Sequence, residues 1–296
     1  MSNEIPNKPI CGVLLAAYNG EKWIDEQITS ILQQKGVDVK IFISIDLSTD
    51  STLEKVQYWS NKDNRVIILP FGESYGNAAK NFYRLIKDVD TSGFDIIAFS
   101  DQDDIWKNDK LHRAWSKISC KICDVYSSDV IAFWENGKES LIKKSYPQKK
   151  YDHFFEAAGP GCTYVFSSRS FLAVKEFIKD NYSASLQINS HDWLIYAYCR
   201  SINLEWLIDN KPKMLYRQHD KNQVGTNNNV SAYIKRLRIV NKKQYRKKVT
   251  SIYNLVMKNS IELDLGRTFI LRNIFEVRRR PRDQIALFLF AIMRLF

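Results

Sequence analysis

The run Asp101-Gln102-Asp103-Asp104 holds the densest cluster of chemistry-bearing side chains in the sequence. Three carboxylates this close repel one another, and a cation or protonation must relieve the repulsion. Hard oxygen donors in small number suit Mg²⁺ or Mn²⁺, which keep several waters and bind phosphate groups of a substrate. A metal shared between these carboxylates and a diphosphate would stabilise charge growing on a leaving group. Without chemistry, the same run is a solvated acidic turn in which Asp104 caps the following helix. Asp192, between His191 and Trp193 and ahead of Leu194-Ile195-Tyr196, is the second candidate. Aromatic neighbours desolvate a carboxylate and raise its proton affinity, which suits a general base for a hydroxyl. The competing reading makes it a second capping residue behind Ser190. His219, in Arg217-Gln218-His219-Asp220, is either a metal contact or a hydrogen-bonded structural histidine. Arg217 pairs either with a diphosphate or with Asp220.

The surrounding sequence supplies elements that would position these groups. Ile10 to Ala17 is nearly all apolar, as in a strand covered on both faces, and Glu21 to Gln34 carries apolar residues at helical spacing until Gly36. Strands follow at Val39–Asp46, Arg65–Leu69 and Phe94–Ser100, alternating with helices at Asp50–Ser60, Asn77–Val89 and Asn108–Ile118. Four consecutive βα units predict a parallel, doubly wound sheet, whose ligands bind at the carboxyl ends of the strands. Tyr18-Asn19-Gly20-Glu21, Asp46 to Asp50 and Asp101 to Asp104 each fall just after a strand, where a site belongs. Farther on, the pattern predicts strands at 122–128, 163–166, 204–208 and 214–216, helices at 169–179 and 190–199, and a polar loop at 222–229. Gly159-Pro160-Gly161 reads as a turn, bordering a site or merely packed. No G-x-G-x-x-G follows the first strand and no G-x-x-x-x-G-K-[ST] occurs, which argues against a dehydrogenase and a P-loop enzyme.

Charge is unevenly spread over the 296 residues, whose net is +11. Residues 211–296 carry 20 Lys and Arg against 5 Asp and Glu, a net of +15, on a body of −4. Such asymmetry predicts an anionic partner for the tail. The tail interleaves Lys235, Arg236, Arg238, Lys242, Lys243, Arg246, Lys247 and Lys248 with apolar residues, and ends in the apolar run from Ile285 to Phe296. Basic residues beside an apolar segment too short to span a bilayer predict peripheral contact with an anionic membrane surface. The other reading is a solvated basic face with the last helix packed on the domain. The five cysteines have no framework spacing and read as reduced thiols. The start, MSNEIPNKPI, lacks the pattern of a signal peptide, so a cytoplasmic or peripheral protein is expected.

The segments LLAAYNGEKWIDEQITSIL, ISIDLSTDST and SDQDDIW, followed by GCTYVFSSR, HDW and YRQHDKNQVG, carry a likeness to a known family. Over residues 10–225 the chain resembles glycosyltransferase family 2 with the GT-A fold, and within it the bacterial rhamnosyltransferase-type enzymes of surface-polysaccharide assembly. The resemblance implies an α/β, Rossmann-like, mostly parallel sheet flanked by helices; it does not cover the C-terminal extension, which the residue pattern alone marks as basic and largely helical. It implies a domain at 1–225 with a nucleotide-sugar part at about 10–120 and an acceptor part at about 121–225, leaving 226–296 as the extension. It places Tyr18, Asn19 and Glu21 at the nucleoside, Asp46 at the base, Asp101 and Asp103 at the ribose and metal with Asp104 beside them, Asp192 as catalytic base and His219 near the diphosphate or metal. The family's usual S-D-D-G-S-T-D is changed at 44–50, where Ile45 and Leu47 replace an Asp and the Gly. An inverting, Mn²⁺- or Mg²⁺-dependent transfer follows from the resemblance, with dTDP-L-rhamnose or another dTDP- or UDP-sugar as donor. The acceptor would be a glycan or polyprenyl-linked glycan of O-antigen or capsule synthesis at the cytoplasmic face of the inner membrane. The alternative is a non-catalytic basic binder of nucleotide, membrane or nucleic acid on an α/β scaffold. No nucleic acid partner is expected, since neither an RNP-type aromatic strand nor a DNA-reading helix is present.

Overall fold

The computed structural model describes residues 8–219, 244–258 and 264–294. The chain begins with alternating units: β1 (Ile10–Ala17), α1 (Ile24–Leu32), β2 (Asp38–Ile45), α2 (Thr52–Lys62), β3 (Val66–Ile68), α3 (Ala78–Asp88) and β4 (Ile96–Ser100). Every residue of β1 after Ile10 is buried, because the strand is central and helices cover both faces. Ile24, Ile28 and Ile31 give α1 its buried stripe, and the Asn77 side chain caps α3 by accepting from Lys80 N–H at 3.0 Å.

The second half is less regular, with β5 (Ile105–Trp106), α4 (Lys110–Ser119), β6 (Val125–Ser128), β7 (Val130–Phe133), β8 (Glu139–Ile142) and α5 (Asp152–Phe155). After a single 3₁₀ turn at Gly161–Thr163 come β9 (Val165–Ser167), α6 (Ser168–Asp180), α7 (Tyr182–Ser185), α8 (His191–Ser201), β10 (Trp206–Asp209) and β11 (Met214–Arg217). The main sheet runs β10-β6-β9-β4-β1-β2-β3, with β9 antiparallel to both neighbours and the remaining pairs parallel. A second sheet, β5-β11-β7-β8, stands apart from it. Neither this sheet nor the β7–β8 hairpin is part of the sequence expectation, although Asn136-Gly137 at its turn is a hairpin signal, with Gly137 at φ +78°.

Register sets the site. Ala17 lies beside Ile45 and Leu15 beside Ser100, so the chain leaves β1, β2 and β4 at neighbouring points of the carboxyl edge. Leu215 pairs with Ile105, and the antiparallel direction then carries the residues after β11 back over those before β5, which are Asp103 and Asp104.

The basic extension adds α9 (Gln244–Val256), α10 (Arg267–Arg272) and α11 (Pro281–Ile292). Val249, Ile252, Ile270, Leu287 and Ala291 join the same apolar cluster as Phe82, Phe99 and Tyr196 on one face of the main sheet. Buried Arg279 holds the buried Asp152 carboxylate at 3.1 Å and donates to Tyr196 Oη at 3.1 Å. Burial alone would raise the Asp152 carboxyl. His153, Arg279 and Arg200 more than offset that and hold it below the usual carboxylate range. The extension is thus packed, but α11 leaves Ile285, Phe288, Leu289, Ile292 and Met293 exposed along one side. No described helix is long and apolar enough to cross a membrane. The predicted loop at 222–229, the motif residues Asp220 to Gly225, the boundary at 225/226 and Lys235, Arg236, Arg238, Lys242 and Lys243 lie outside the described residues. None of the five cysteines is disulfide-bonded.

Candidate active site

A cleft of about 1330 Å³ opens at the carboxyl edge of the main sheet, where a parallel sheet presents its loops. Tyr18, Asn19, Asp46, Asp101, Asp103, Asp192 and His219 all line it. Glu21, Asp104 and Arg217 do not.

The loop after β1 is shaped by backbone demands. Asn19 takes φ +46°, a conformation that Asn tolerates better than most residues. Its N–H donates to Ser48 Oγ at 3.1 Å and its Oδ1 accepts from Thr49 N–H at 2.8 Å. A Cβ on Gly20 would come within 2.3 Å of Gln102 Oε1. Gly20 thereby lets Gln102 clasp Tyr18, accepting from its N–H at 2.6 Å and donating to its carbonyl at 2.7 Å. Gln102, unmarked in the sequence as chemistry, ties the first loop to the acidic run. Glu21 accepts from Ser51 N–H at 3.1 Å, and its own N–H donates to Asp50. Its carboxylate ties the loops after β1 and β2 together.

Asp46 is buried at the cleft floor and accepts N–H bonds from Leu47, Tyr75 and Gly76 at 2.7–2.8 Å. It therefore fixes the 70–77 loop that forms one lip. Asn81 also lines the cleft, donates to Ser44 O at 3.0 Å, and leaves its buried Oδ1 without a partner.

In the acidic run the three carboxylates have separate environments. Asp101 is pushed up to about 7 by burial, then by the charges of Asp103 and Asp192, against a hydrogen bond from Cys162. Asp192 is thus electrically part of the same site. Asp103 Oδ2 meets His219 Nε2 at 2.8 Å, and the imidazole stacks on Trp23 with centroids 4.1 Å apart. Asp104 is fully buried and does not cap α4, whose N-cap is Asp109. Its Oδ1 accepts from Arg217 N–H at 3.1 Å, its Oδ2 has no partner, and burial followed by Asp103 and Asp101 holds its carboxyl well above the usual range. Arg217 donates through Nε to Asp103 O at 2.8 Å, pairs with Glu26 and lies over Phe133. The guanidinium thus braces the acidic loop, and Asp220 lies outside the described residues.

Asp192 sits in the first turn of α8, accepting from Trp193 N–H at 2.8 Å. Ser190 is the N-cap residue, but its hydroxyl donates to Asn189 O and caps nothing. His191 stacks on Phe82 at 4.1 Å, and burial lowers it to about 4, so it is neutral near neutrality. A Cβ on Gly161 would lie 2.5 Å from His191 Nε2 and 3.4 Å from Asp192 Cβ. The Gly159-Pro160-Gly161 turn therefore packs directly against His191 and Asp192.

The donor set fits a divalent cation. Asp101, Asp104 and Cys162 place ligand atoms within 4.8 Å of one another, and buried Asp104 Oδ2 is orphaned. The Cys162 thiol is held protonated by burial and the nearby carboxylates, so the oxygen donors and His219 are the better ligands for Mg²⁺ or Mn²⁺.

The profile of Glycosyl transferase family 2 matches residues 12–177. The dTDP-rhamnosyl transferase RfbG of Shigella flexneri is 45% identical over 289 residues, covering 95% of this chain and 100% of that protein. The Escherichia coli UDP-Glc:alpha-D-GlcNAc-diphosphoundecaprenol beta-1,3-glucosyltransferase WfgD is 28% identical over 222 residues, 71% of this chain and 84% of that one. Among solved structures, S. aureus TarS 1-349 in complex with UDP-GlcNAc superposes with a TM-score of 0.54 at 17% identity, over 96% of this chain and 82% of that chain. The mannosyltransferase PcManGT from Pyrobaculum calidifontis in complex with GDP-Man and Mn2+ gives 0.52 at 13% identity, over 84% and 70%. At such identity the two structures speak for a shared GT-A fold alone. With its family match and its full-length relative, the chain belongs to glycosyltransferase family 2 and is a glycosyltransferase.

Proposed function

We propose that the protein transfers L-rhamnose from dTDP-L-rhamnose, with inversion, to a hydroxyl of a glycan or lipid-linked glycan in surface-polysaccharide synthesis. The observation that carries the chemistry is that Asp192 lines the same cleft as Asp101 and Asp103 and that its charge acts on Asp101. The full-length likeness to a dTDP-rhamnosyl transferase carries the choice of sugar. Membership of a glycosyltransferase family sets aside the non-catalytic alternative.

In this reading the half running to about residue 120 holds the donor, and the half from about 121 to 225 holds the acceptor. Tyr18 and Asn19 bound the nucleoside end, with Asp46 shaping the pocket floor. Asp192 takes the proton from the acceptor hydroxyl as the oxygen attacks the anomeric carbon from the face opposite the departing diphosphate. Asp101 and Asp103, with His219, would hold Mg²⁺ or Mn²⁺, with Asp104 behind them. When bound, the ion supplies positive charge to the leaving dTDP. Arg217 and Gln102 keep the acidic loop in place, and Trp23 keeps the His219 ring in place. The exposed apolar side of α11, with Arg282 and Arg294 at its ends, suits shallow contact with an anionic membrane at the cytoplasmic face.

The test is donor hydrolysis without acceptor, compared among dTDP-L-rhamnose, UDP-glucose and UDP-N-acetylglucosamine, with Mn²⁺ and with chelator. Preferential, metal-dependent release of dTDP is expected. Equal or better use of a UDP-sugar would overturn the donor assignment.

A further inference from the structure

The part of the cleft wall built by the second sheet and α11 is cationic, unlike the carboxylate floor. Lys143, Lys144, Arg280 and Arg282 line the same cleft as Asp192. Two carboxylates on this wall, Glu156 and Asp283, are already engaged. Arg278 and Arg279 approach Glu156 at 3.9 and 3.5 Å, and Arg278 and Arg282 approach Asp283 at 3.4 and 3.8 Å. Positive charge is left over.

Lys144 is held in place rather than splayed on the surface. Its backbone N–H and that of Ser145 donate to buried Asp129 at 2.6 and 2.8 Å. Its stem crosses Gly159, where a Cβ would lie 3.4 Å from Lys144 Cγ, and the same turn reaches Asp192 through Gly161. Burial, reinforced by repulsion from Arg279 and Arg278, lowers its amine against the pull of Glu156 and Asp283. An anion at this place would relieve that repulsion. Arg280 is the N-cap residue of the 12-residue α11, so the helix adds its positive end to the same wall. The outer side of α11 exposes Ile285, Phe288, Leu289 and Ile292. One helix thus offers cations to the cleft and apolar side chains outside it.

We propose that Lys143, Lys144, Arg280 and Arg282 form an acceptor subsite that binds the diphosphate of a polyprenyl-linked acceptor beside Asp192. The proposal rests on the acceptor-side reading of Asp192. Ammonium and guanidinium groups suit phosphate oxygens, and a diphosphate head with an apolar tail matches both sides of α11. In the proposed function the donor diphosphate belongs to the carboxylate cluster, so these cations are left for the acceptor.

Farnesyl diphosphate and inorganic pyrophosphate serve as probes, titrated calorimetrically into the full-length protein with chelator present. Both should bind, and Arg280→Gln/Arg282→Gln and Lys144→Met should each weaken binding by about tenfold or more. Tighter binding of the farnesyl compound assigns the phosphate to a lipid headgroup. Equal binding overturns the lipid assignment. Circular dichroism melting of each variant confirms its fold. Kinetically, Arg280→Gln/Arg282→Gln should raise the acceptor KM about tenfold for a diphosphate-linked acceptor, with little change for the same glycan lacking phosphate. Unchanged probe binding in both variants overturns the subsite. So does a comparable rise in the donor KM for metal-dependent hydrolysis, which would hand these cations to the donor. Loss of the subsite with donor hydrolysis intact leaves the proposed transfer standing, whereas no hydrolysis of any donor would count against the transfer itself.

Discussion

Asp101 couples the stability of the fold to its proposed cation, and the effect can be worked through. Its carboxyl is raised from 3.8 to about 7, first by burial and then by Asp103. A folded-state value above the unfolded one means that the folded protein binds this proton more tightly. The contribution is fully present below the unfolded value near pH 4 and is lost as pH rises through about 7. Three units at about 1.4 kcal/mol each set a ceiling of about 4 kcal/mol, and partial solvent contact of the carboxylate reduces that to about 2–4 kcal/mol. Asp101→Asn keeps the shape and removes the charge. At pH 8 without divalent ions it should melt about 4–8 °C above the wild type, at about 2 °C per kcal/mol for a chain of this size. The difference should shrink towards pH 5. Comparing the two proteins cancels His191, whose lowered value contributes with the opposite sign between about 4 and 6.5. Mn²⁺ with dTDP should stabilise the wild type more at pH 8 than at pH 6, because the ion competes with the proton, and should barely stabilise the variant. Calorimetric melts across pH 5–8, with and without Mn²⁺ and dTDP, provide the readout. A variant that melts below the wild type at pH 8 in chelator would refute the reasoning, since the carboxylate would then be stabilising as an anion.

Asp192→Asn should lower transfer about 10²–10⁴-fold with little change in donor KM, as measured by steady-state kinetics with varied donor and acceptor. An equal loss of donor affinity would move Asp192 to the donor side. Gly161→Ala places a methyl 2.5 Å from His191 Nε2, so the start of α8 must shift, and transfer should fall more than donor hydrolysis does. Arg279→Met takes one of two guanidinium partners from the buried Asp152 carboxylate, leaving Arg200 at 3.3 Å, and should destabilise the protein by about 1.5–3 kcal/mol in urea unfolding, whereas Asp152→Asn in the same background should recover part of the loss. Replacing Ile285, Leu289 and Ile292 by Ser should reduce co-sedimentation with anionic vesicles at moderate salt while sparing donor hydrolysis. Unchanged sedimentation would remove α11 from the membrane contact.

Much of the donor half was legible in residue order alone. Apolar runs long enough for buried strands, separated by helical spacing, specify βα units, and such units put loops at one edge of a parallel sheet. The carboxylates after β4 and the polar loops after β1 and β2 could therefore be located without coordinates. The roles of individual side chains within those loops could not, because hydrogen bonding between distant segments decides which atoms face the cleft. Glu21 turns to Ser51, Arg217 turns to Glu26 and Asp103, and Asp104 goes beneath the floor, whereas Gln102 becomes the clasp between two loops. Asp103 and His219 are more than a hundred residues apart, and only the β5–β11 pairing brings them to 2.8 Å. The extension shows the same division of labour. Its composition announced charge and apolar surface, while the fold decided that Arg279 is buried against Asp152, that Leu287 and Ala291 face the core, and that the cations at the start of α11 meet the cleft. Local periodicity is a property of neighbouring residues and survives in any fold. The partner of a charged side chain belongs to whichever distant segment packing brings within hydrogen-bond distance, and the tertiary structure alone chooses it.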